Sequence, residues 1–453
     1  MKLKTVLLGQ TFQFRDLKDV MAKANEVKSG DQLAGIAAAD AKERMAAKLV
    51  LADLTLADFR NYPLLAPEAD EVSRIIEEAV NENIYAEIRH WSVAELRERL
   101  LGQDTGSDDI RRLSRGLTSE MVAAAAKLMS NLDLVQAAAK IEVTSHCNIT
   151  IGQKGVLAGR AQPNHPTDNI QGMKASLFEA LSYGIGDAVL GINPVIDSAD
   201  SVKSMLIAMK EVMARWSIPT QNCVLAHIKT QMKAIRQGAP ADMVFQSLAG
   251  TEDGNRAFGI SAELLDEADD LVRRDGCGTG PNLWYFETGQ GSELSAEAHH
   301  GIDQVTLESR CYGLARKYKP FIVNTVVGFI GPEYLYDSRQ VIRAGLEDHF
   351  MGKMQQLPMG VDVCYTNHMQ ADQNDMDNLA VMLASAGVNY LIGVPMADDC
   401  MLNYQSTSYH DIATLRELMG LRPAPDFERW LVKMGIMENG RLTPLAGDPT
   451  VFM

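Results

Sequence analysis

The chain has 453 residues, of which 46% are hydrophobic and 23% charged, enough for a large buried core in an ordinary globular protein of one or two domains. A formal net charge of −16 argues against a nucleic-acid partner, whose phosphates ask for a basic surface. Six scattered cysteines (Cys147, Cys223, Cys277, Cys311, Cys364 and Cys400) contain no C-x-x-C pair, which fits neither a zinc site nor a disulfide framework and suits a reducing compartment.

The start, M-K-L-K-T-V-L-L-G-Q, has too short an apolar run before Gly9 to be a signal peptide. No stretch approaches the roughly 18 apolar residues of a membrane span. The expectation is a cytoplasmic protein with no membrane partner. Residues 1–135 read as mainly helical. Asp40–Leu51 has strong helix formers with apolar residues at helical spacing, Ser92 and Glu95 form a capping-box pattern, and a further helix follows Thr118 over Met121–Leu128. This region carries no catalytic constellation and is expected to make subunit contacts.

From 136 to 420 short apolar runs alternate with amphipathic helices. The expected strands are Val156–Gln162, Ala188–Asn193, Cys223–His227, Met243–Gln246, Leu283–Glu287, Phe321–Val326, Gly360–Tyr365 and Asn389–Gly393. Helical segments between them include Ile170–Tyr183, Ser201–Trp216, Ala262–Arg274, Gln304–Tyr318, Ser338–Met351, Met376–Ala386 and Asp411–Met419. About eight strand–helix units over roughly 280 residues match an α/β fold of the (β/α)₈ barrel type. A doubly wound sheet is the alternative, without the G-x-G-x-x-G that would favour it. Residues 421–453 read as a helix and a tail.

The stretch L-W-Y-F-E-T-G-Q-G-S-E-L-S, Leu283–Ser295, runs from a buried strand into a carboxylate and a glycine-containing loop. A barrel places its chemistry at such strand ends. The other ends supply Arg160 and Gln162, Asn193 before Pro194, Gln246 and Asp362. One fixed cation, several amides and two carboxylates suit a small polar substrate with an amine and a hydroxyl. No H-E-x-x-H, P-loop or G-x-S-x-G is present. The His299-His300 pair is read as a solvated loop. E-D-H-F-M-G around His349 comes near the D-x-H-x-x-G of some cobalamin enzymes, but its aspartate is misplaced, so His349 is read as structural.

Y-F-E-T-G-Q-G-S at 285–292, F-I-V-N-T-V-V-G-F-I-G-P-E-Y-L-Y at 321–336 and I-R-A-G-L-E-D-H-F-M-G-K at 342–353 resemble the large subunit of ethanolamine ammonia-lyase. So do L-T-S-E at 117–120, G-D-A-V-L-G-I-N-P-V at 186–195 and I-P-T-Q-N-C-V-L-A-H at 218–227, and the likeness runs from the first residues to the G-I-M-E-N-G-R-L-T tail. The resemblance implies a (β/α)₈ barrel and an adenosylcobalamin-dependent radical lyase converting ethanolamine to acetaldehyde and ammonia. It implies a separate small subunit, cobalamin at the interface over the barrel mouth, and no protein histidine on cobalt. It further implies a hetero-oligomer built from large-subunit dimers, six large and six small subunits in the family, with packaging in a bacterial microcompartment left open.

Carried over by the resemblance, Glu287 and Arg160 would hold the substrate hydroxyl, and Gln162, Asn193 and Asp362 its amine. Glu287, Arg160 and Asp362 are the expected catalytic residues, with Phe329 and Val326 walling the pocket. Pro194, Gln246, Ser295 and Met401 would contact cobalamin, and no metal ligand is expected. Ile392 stands where the family is expected to have methionine. The readings left beside this are a cobalamin-independent barrel lyase or aldolase using carboxylates with a metal, and a non-catalytic scaffold subunit.

Overall fold

Runs of β-branched and aromatic residues that alternate with amphipathic helices can bury both faces of a parallel sheet only beneath those helices. The computed structural model describes residues 1–453 apart from 329, 402 and 403. Eight strands of the central parallel sheet occur in chain order: β1 (Ala158–Ala161), β2 (Val189–Ile192), β3 (Asn222–Val224), β4 (Val244–Ser247), β5 (Trp284–Thr288), β6 (Ile322–Val326), β7 (Met359–Asp362) and β8 (Tyr390–Val394). The helices that follow them are α1 (Ile170–Ser182), α2 (Ala199–Trp216), α3 (Ile228–Arg236), α4 (Ala262–Asp275), α5 (Gln304–Ala315), α6 (Ser338–Met354), α7 (Gln373–Ser385) and α8 (Tyr409–Met419).

Parallel ladders join the strands in the order β3-β2-β1-β8-β7-β6-β5-β4. The expected (β/α)₈ barrel is therefore what the chain forms. Between β3 and β4 no ladder is present among the described residues, and side chains span the seam. Asp242 Oδ2 accepts from the Asn222 backbone N–H at 3.0 Å, and Asn222 Oδ1 accepts from the Asp242 N–H at 2.8 Å. Gln246 Oε1 accepts from the Ile228 N–H at 3.0 Å, tying β4 to the start of α3. On β5, Trp284, Tyr285 and Phe286 are fully buried, each contributing about 1.5–3 kcal/mol of apolar burial.

Strand ends are where the expected boundaries shift. The strand expected over Cys223–His227 stops at Val224 because His227 turns to cap α3, its Nδ1 accepting from the Lys229 N–H at 3.2 Å. The one expected over Gly360–Tyr365 ends at Asp362, and Tyr365 joins a short outer sheet instead.

The first 13 residues depart from the helical expectation. Lys4–Leu7 and Gln10–Gln13 pair as a hairpin, turning at Leu8 and Gly9 with φ of 51° and 77°. Such short strands, with Val6 65% exposed, carry no clear inward face to read. The remainder is helical as expected. Asp40 caps Ala41–Asp53, Ser92 and Glu95 make a capping box on Val93–Leu101, and Thr118 immediately precedes Ser119–Lys127.

Buried ion pairs tie these helices to α5 and α6. Lys127 Nζ meets Asp303 at 2.5 Å, and Arg310 of α5 meets Asp70 at 2.7 Å and also Glu120. Glu347 of α6 sits between Lys28 at 2.8 Å and Arg343 at 2.6 Å. Burial opposes its charge, but those two cations outweigh it and hold its pKa down to about 2. After α8 come the helix Pro425–Lys433 and a hairpin, Met437–Glu438 with Arg441–Leu442. At the carboxyl end Phe452 stacks on Phe178 of α1. Among the described residues no helix is long and apolar enough to cross a membrane.

Candidate active site

Parallel register places the polar strand ends side by side. Asn324 of β6 lies opposite Glu287 of β5, Val326 opposite Asp362 of β7, and Ile392 of β8 opposite Arg160 of β1. Arg160 is 1% exposed and has room because its neighbour on β2 is Gly191, where a Cβ would come within 2.7 Å of the Arg160 Nε.

The Arg160 fork has two addresses. Its Nη1 donates to the Tyr285 hydroxyl at 2.6 Å, and its Nη2 to Asn193 Oδ1 at 2.7 Å. Tyr285 in turn donates to Glu287 Oε1 at 3.0 Å, which also accepts from Asn324 Nδ2 at 3.0 Å. Arg160 Nη1 and Glu287 Oε1 are 3.7 Å apart, so the cation reaches the carboxylate chiefly through the phenol. Burial opposes the Arg160 charge; its polar neighbours, Tyr285 and Glu287 first among them, outweigh burial and raise its pKa. Glu287 Oε2 makes no hydrogen bond among the described residues and remains an open acceptor.

A second group forms beside it. Gln162 donates its amide to Asp399 at 2.6 Å and to the Tyr404 hydroxyl at 2.9 Å, which leaves the Gln162 carbonyl oxygen as an acceptor. Asn164 also donates to Asp399, at 2.8 Å, and its carbonyl holds the Asn193 N–H at 2.9 Å. Asp362 accepts from Ser406 at 2.5 Å; burial pushes its carboxyl up to about 6, against that hydrogen bond. Val326 packs with Cys364 and Tyr404 as a small apolar wall.

A cavity of about 410 Å³ opens at the carboxyl ends of β3 to β6, bounded by Glu287, Val326, Gln246, Phe245 and Phe258. Charge and amide groups at one side and aromatic walls at the other are the ordinary make-up of a site for a small amphipathic ligand.

The other expected residues are dispersed around this mouth. Pro194 follows β2, Ser295 closes the short helix Ser292–Ser295, and the Met401 N–H donates to Asp399. Ser295 is exposed and its hydroxyl turns back to the Ser292 carbonyl at 2.8 Å. Phe329, expected to wall the pocket, lies outside the described residues. His349 is buried within α6, and its burial drives its pKa well below the usual value. His300 is exposed and faces Asp253 at 3.1 Å, while His299 is half-buried. Among the described residues no group of three or more His, Cys, Asp or Glu is placed to hold a metal ion.

Several neighbours were not singled out from the sequence. Tyr285 and Asn324 were within reach, because each lies two residues before an expected site residue on its own strand and so faces the same way. Asn164 lies two residues after Gln162, beyond the end of β1, where strand alternation no longer marks it. Asp399 and Tyr404 lie on two-residue strands of the short outer sheet and Ser406 just after them, all between β8 and α8, where the elements are too short for periodicity to mark them.

Comparison with known proteins gives one consistent answer. The family model described as ethanolamine ammonia lyase large subunit matches residues 12–445. The ethanolamine ammonia-lyase large subunits of Escherichia coli strains K12 and O157:H7 are each 56% identical over 452 residues, covering 100% of both chains. That of Salmonella typhimurium strain LT2 is 55% identical with the same coverage. With a barrel whose mouth gathers the residues above, this chain belongs to the ethanolamine ammonia-lyase large subunit family.

Proposed function

We propose that the chain is the substrate-binding subunit of an adenosylcobalamin-dependent lyase that converts ethanolamine to acetaldehyde and ammonia. The observation that carries this reading is the Arg160–Tyr285–Glu287 relay at the barrel mouth, with the Gln162 and Asp362 acceptors beside it, in a chain of this family. Glu287 accepts from the substrate hydroxyl through its open oxygen, and Arg160 donates to the substrate's hydroxyl oxygen. Asp362 pairs with the ammonium, helped by the Gln162 carbonyl and the second lone pair of Asn193 Oδ1. Val326 walls the pocket.

The mouth suits the cofactor. Beyond β2 and β8, Val195, Ile196 and Met396 stand 48%, 59% and 84% exposed, an apolar rim of the kind that marks a surface meant to be covered. Pro194, Gln246, Ser295 and Met401 would hold the cofactor, Gln246 through whichever amide capacity its bond to Ile228 leaves. When bound, adenosylcobalamin supplies a carbon-centred radical from its cobalt–carbon bond.

The protein's share is positional and electrostatic. Ethanolammonium and the products acetaldehyde and ammonium balance without an external oxidant: the hydroxyl-bearing carbon is oxidised as its neighbour is reduced. Glu287 holds the hydroxyl as it becomes a carbonyl, and Arg160 donates to the oxygen as its charge changes. Asp362 holds the leaving nitrogen as ammonium. A small subunit is proposed to complete the mouth, with residues 136–420 as the catalytic barrel, residues 1–135 making subunit contacts and residues 421–453 a helix and tail. Large-subunit dimers would build the assembly, in the cytoplasm or a bacterial microcompartment.

The test is product analysis on the chain co-expressed with its small subunit. Acetaldehyde and ammonia in equal amounts, formed only with adenosylcobalamin present, are expected. Neither product from a complex that binds cobalamin would overturn the proposal.

A further inference from the structure

At the opposite end of the barrel, where β5, β6 and β7 begin, a cavity of about 360 Å³ opens to the surface. Its walls bring together Arg111, Arg115, Arg316 and Lys319, and no Asp or Glu lines it among the described residues. That is unexpected in a chain with a net charge of −16. Arg111 has a partner, Asp108 at 3.1 Å, which is itself 93% exposed. Arg115, Arg316 and Lys319 make no side-chain ion pair or hydrogen bond among the described residues.

Arg316 is the telling member. It is half-buried at the end of α5, and burial alone pulls its pKa below the ordinary value. A guanidinium taken from water without a counter-charge is unfavourable. The surrounding wall is fixed and neutral. Asn282 is held by the Lys319 carbonyl at 2.7 Å and the His146 N–H at 2.9 Å, and Gln355 by Ser309 and Ser119. Nothing in this wall competes for the cations.

We infer that this cavity binds a small polyvalent phosphate anion, with Arg316 at its floor and Arg115 and Lys319 at its rim. Convergent cations left unpaired by the protein exceed what one carboxylate could offset. The planar guanidinium fork matches phosphate oxygens, and the volume admits a pyrophosphate or phosphomonoester group.

The test uses the complex of this chain with its small subunit, titrated calorimetrically with inorganic pyrophosphate at constant ionic strength in chloride. One saturable site per large chain is expected. Arg316→Gln should weaken binding by about tenfold or more, the loss expected for a charge-assisted bond. The rim double variant Arg115→Gln with Lys319→Gln should weaken it similarly, which keeps the test usable if Arg316→Gln folds poorly. Arg274→Gln, at an exposed arginine paired with Asp275, should bind as the parent does. Without pyrophosphate, Arg316→Gln should melt no lower than the parent, since it removes an unpaired cation. No saturable binding, affinity equal to the parent's in the Arg316 and rim variants, or equal weakening in Arg274→Gln would overturn the inference.

Discussion

Replacing Glu287 with Gln changes one atom at the centre of the proposed site. In the parent, Oε1 accepts from Tyr285 and Asn324, each at 3.0 Å, with Arg160 Nη1 at 3.7 Å. Those donors fix the amide oxygen of Gln in the same place. Its NH₂ must then occupy the open position, where the carboxylate would accept from the substrate hydroxyl. An acceptor becomes a donor. Loss of a hydrogen bond to a charged group is worth about 1.5–3 kcal/mol, which corresponds to roughly 10- to 150-fold in kcat/KM. The assay is steady-state acetaldehyde formation by the co-expressed complex, with thermal melting to show that the variant is folded. A Glu287→Gln enzyme within twofold of the parent would refute the assignment of Glu287.

Four further outcomes are expected. Because burial raises the Asp362 carboxyl to about 6, kcat/KM should fall as pH drops through about 6 and the partner for the ammonium becomes protonated; Asp362→Asn should raise KM and remove that limb from the pH profile. Gly191→Ala places a methyl 2.7 Å from the Arg160 Nε, and a displacement of about 1 Å at a positioning group can lower activity by roughly 100-fold, so kcat/KM should drop while melting stays near the parent's. Asp242→Ala removes the acceptor that closes the β3–β4 seam and should lower stability in urea by about 1.5–3 kcal/mol. Lys28→Met removes one of the two cations on Glu347, leaving Arg343, and should cost about 1.5–3 kcal/mol. The sign with pH follows from the lowered Glu347 pKa: its contribution is complete above the unfolded value near 4.5 and is lost as pH falls toward about 2, so the parent's advantage over Lys28→Met should shrink in acid.

The barrel was legible because its information is local. Each strand is a short apolar run, each helix an amphipathic repeat, and their alternation leaves few architectures. The amino-terminal hairpin was not, since Val6 and Leu8 are exposed and the four-residue strands show no buried face. In the candidate site, residues on strands could be found from the ends of apolar runs, as Arg160, Glu287 and Asp362 were. Tyr285 looked like core because its ring is buried, while its hydroxyl is what joins Arg160 to Glu287. Asp399 and Ser406 were out of reach: the connection from β8 to α8, with its two-residue strands, brings them to Gln162 and Asp362 across more than 200 and 40 residues of sequence respectively. Arg316 reads in sequence as one charge in a helical pattern, and only folding shows that nothing answers it.

The most direct test of the account is electron paramagnetic resonance on frozen samples of this chain co-expressed with its small subunit, mixed with adenosylcobalamin and ethanolamine. The account predicts a paramagnetic signal that appears only when ethanolamine is added. Absence of that signal in a complex shown to contain both subunits and bound cobalamin would contradict it.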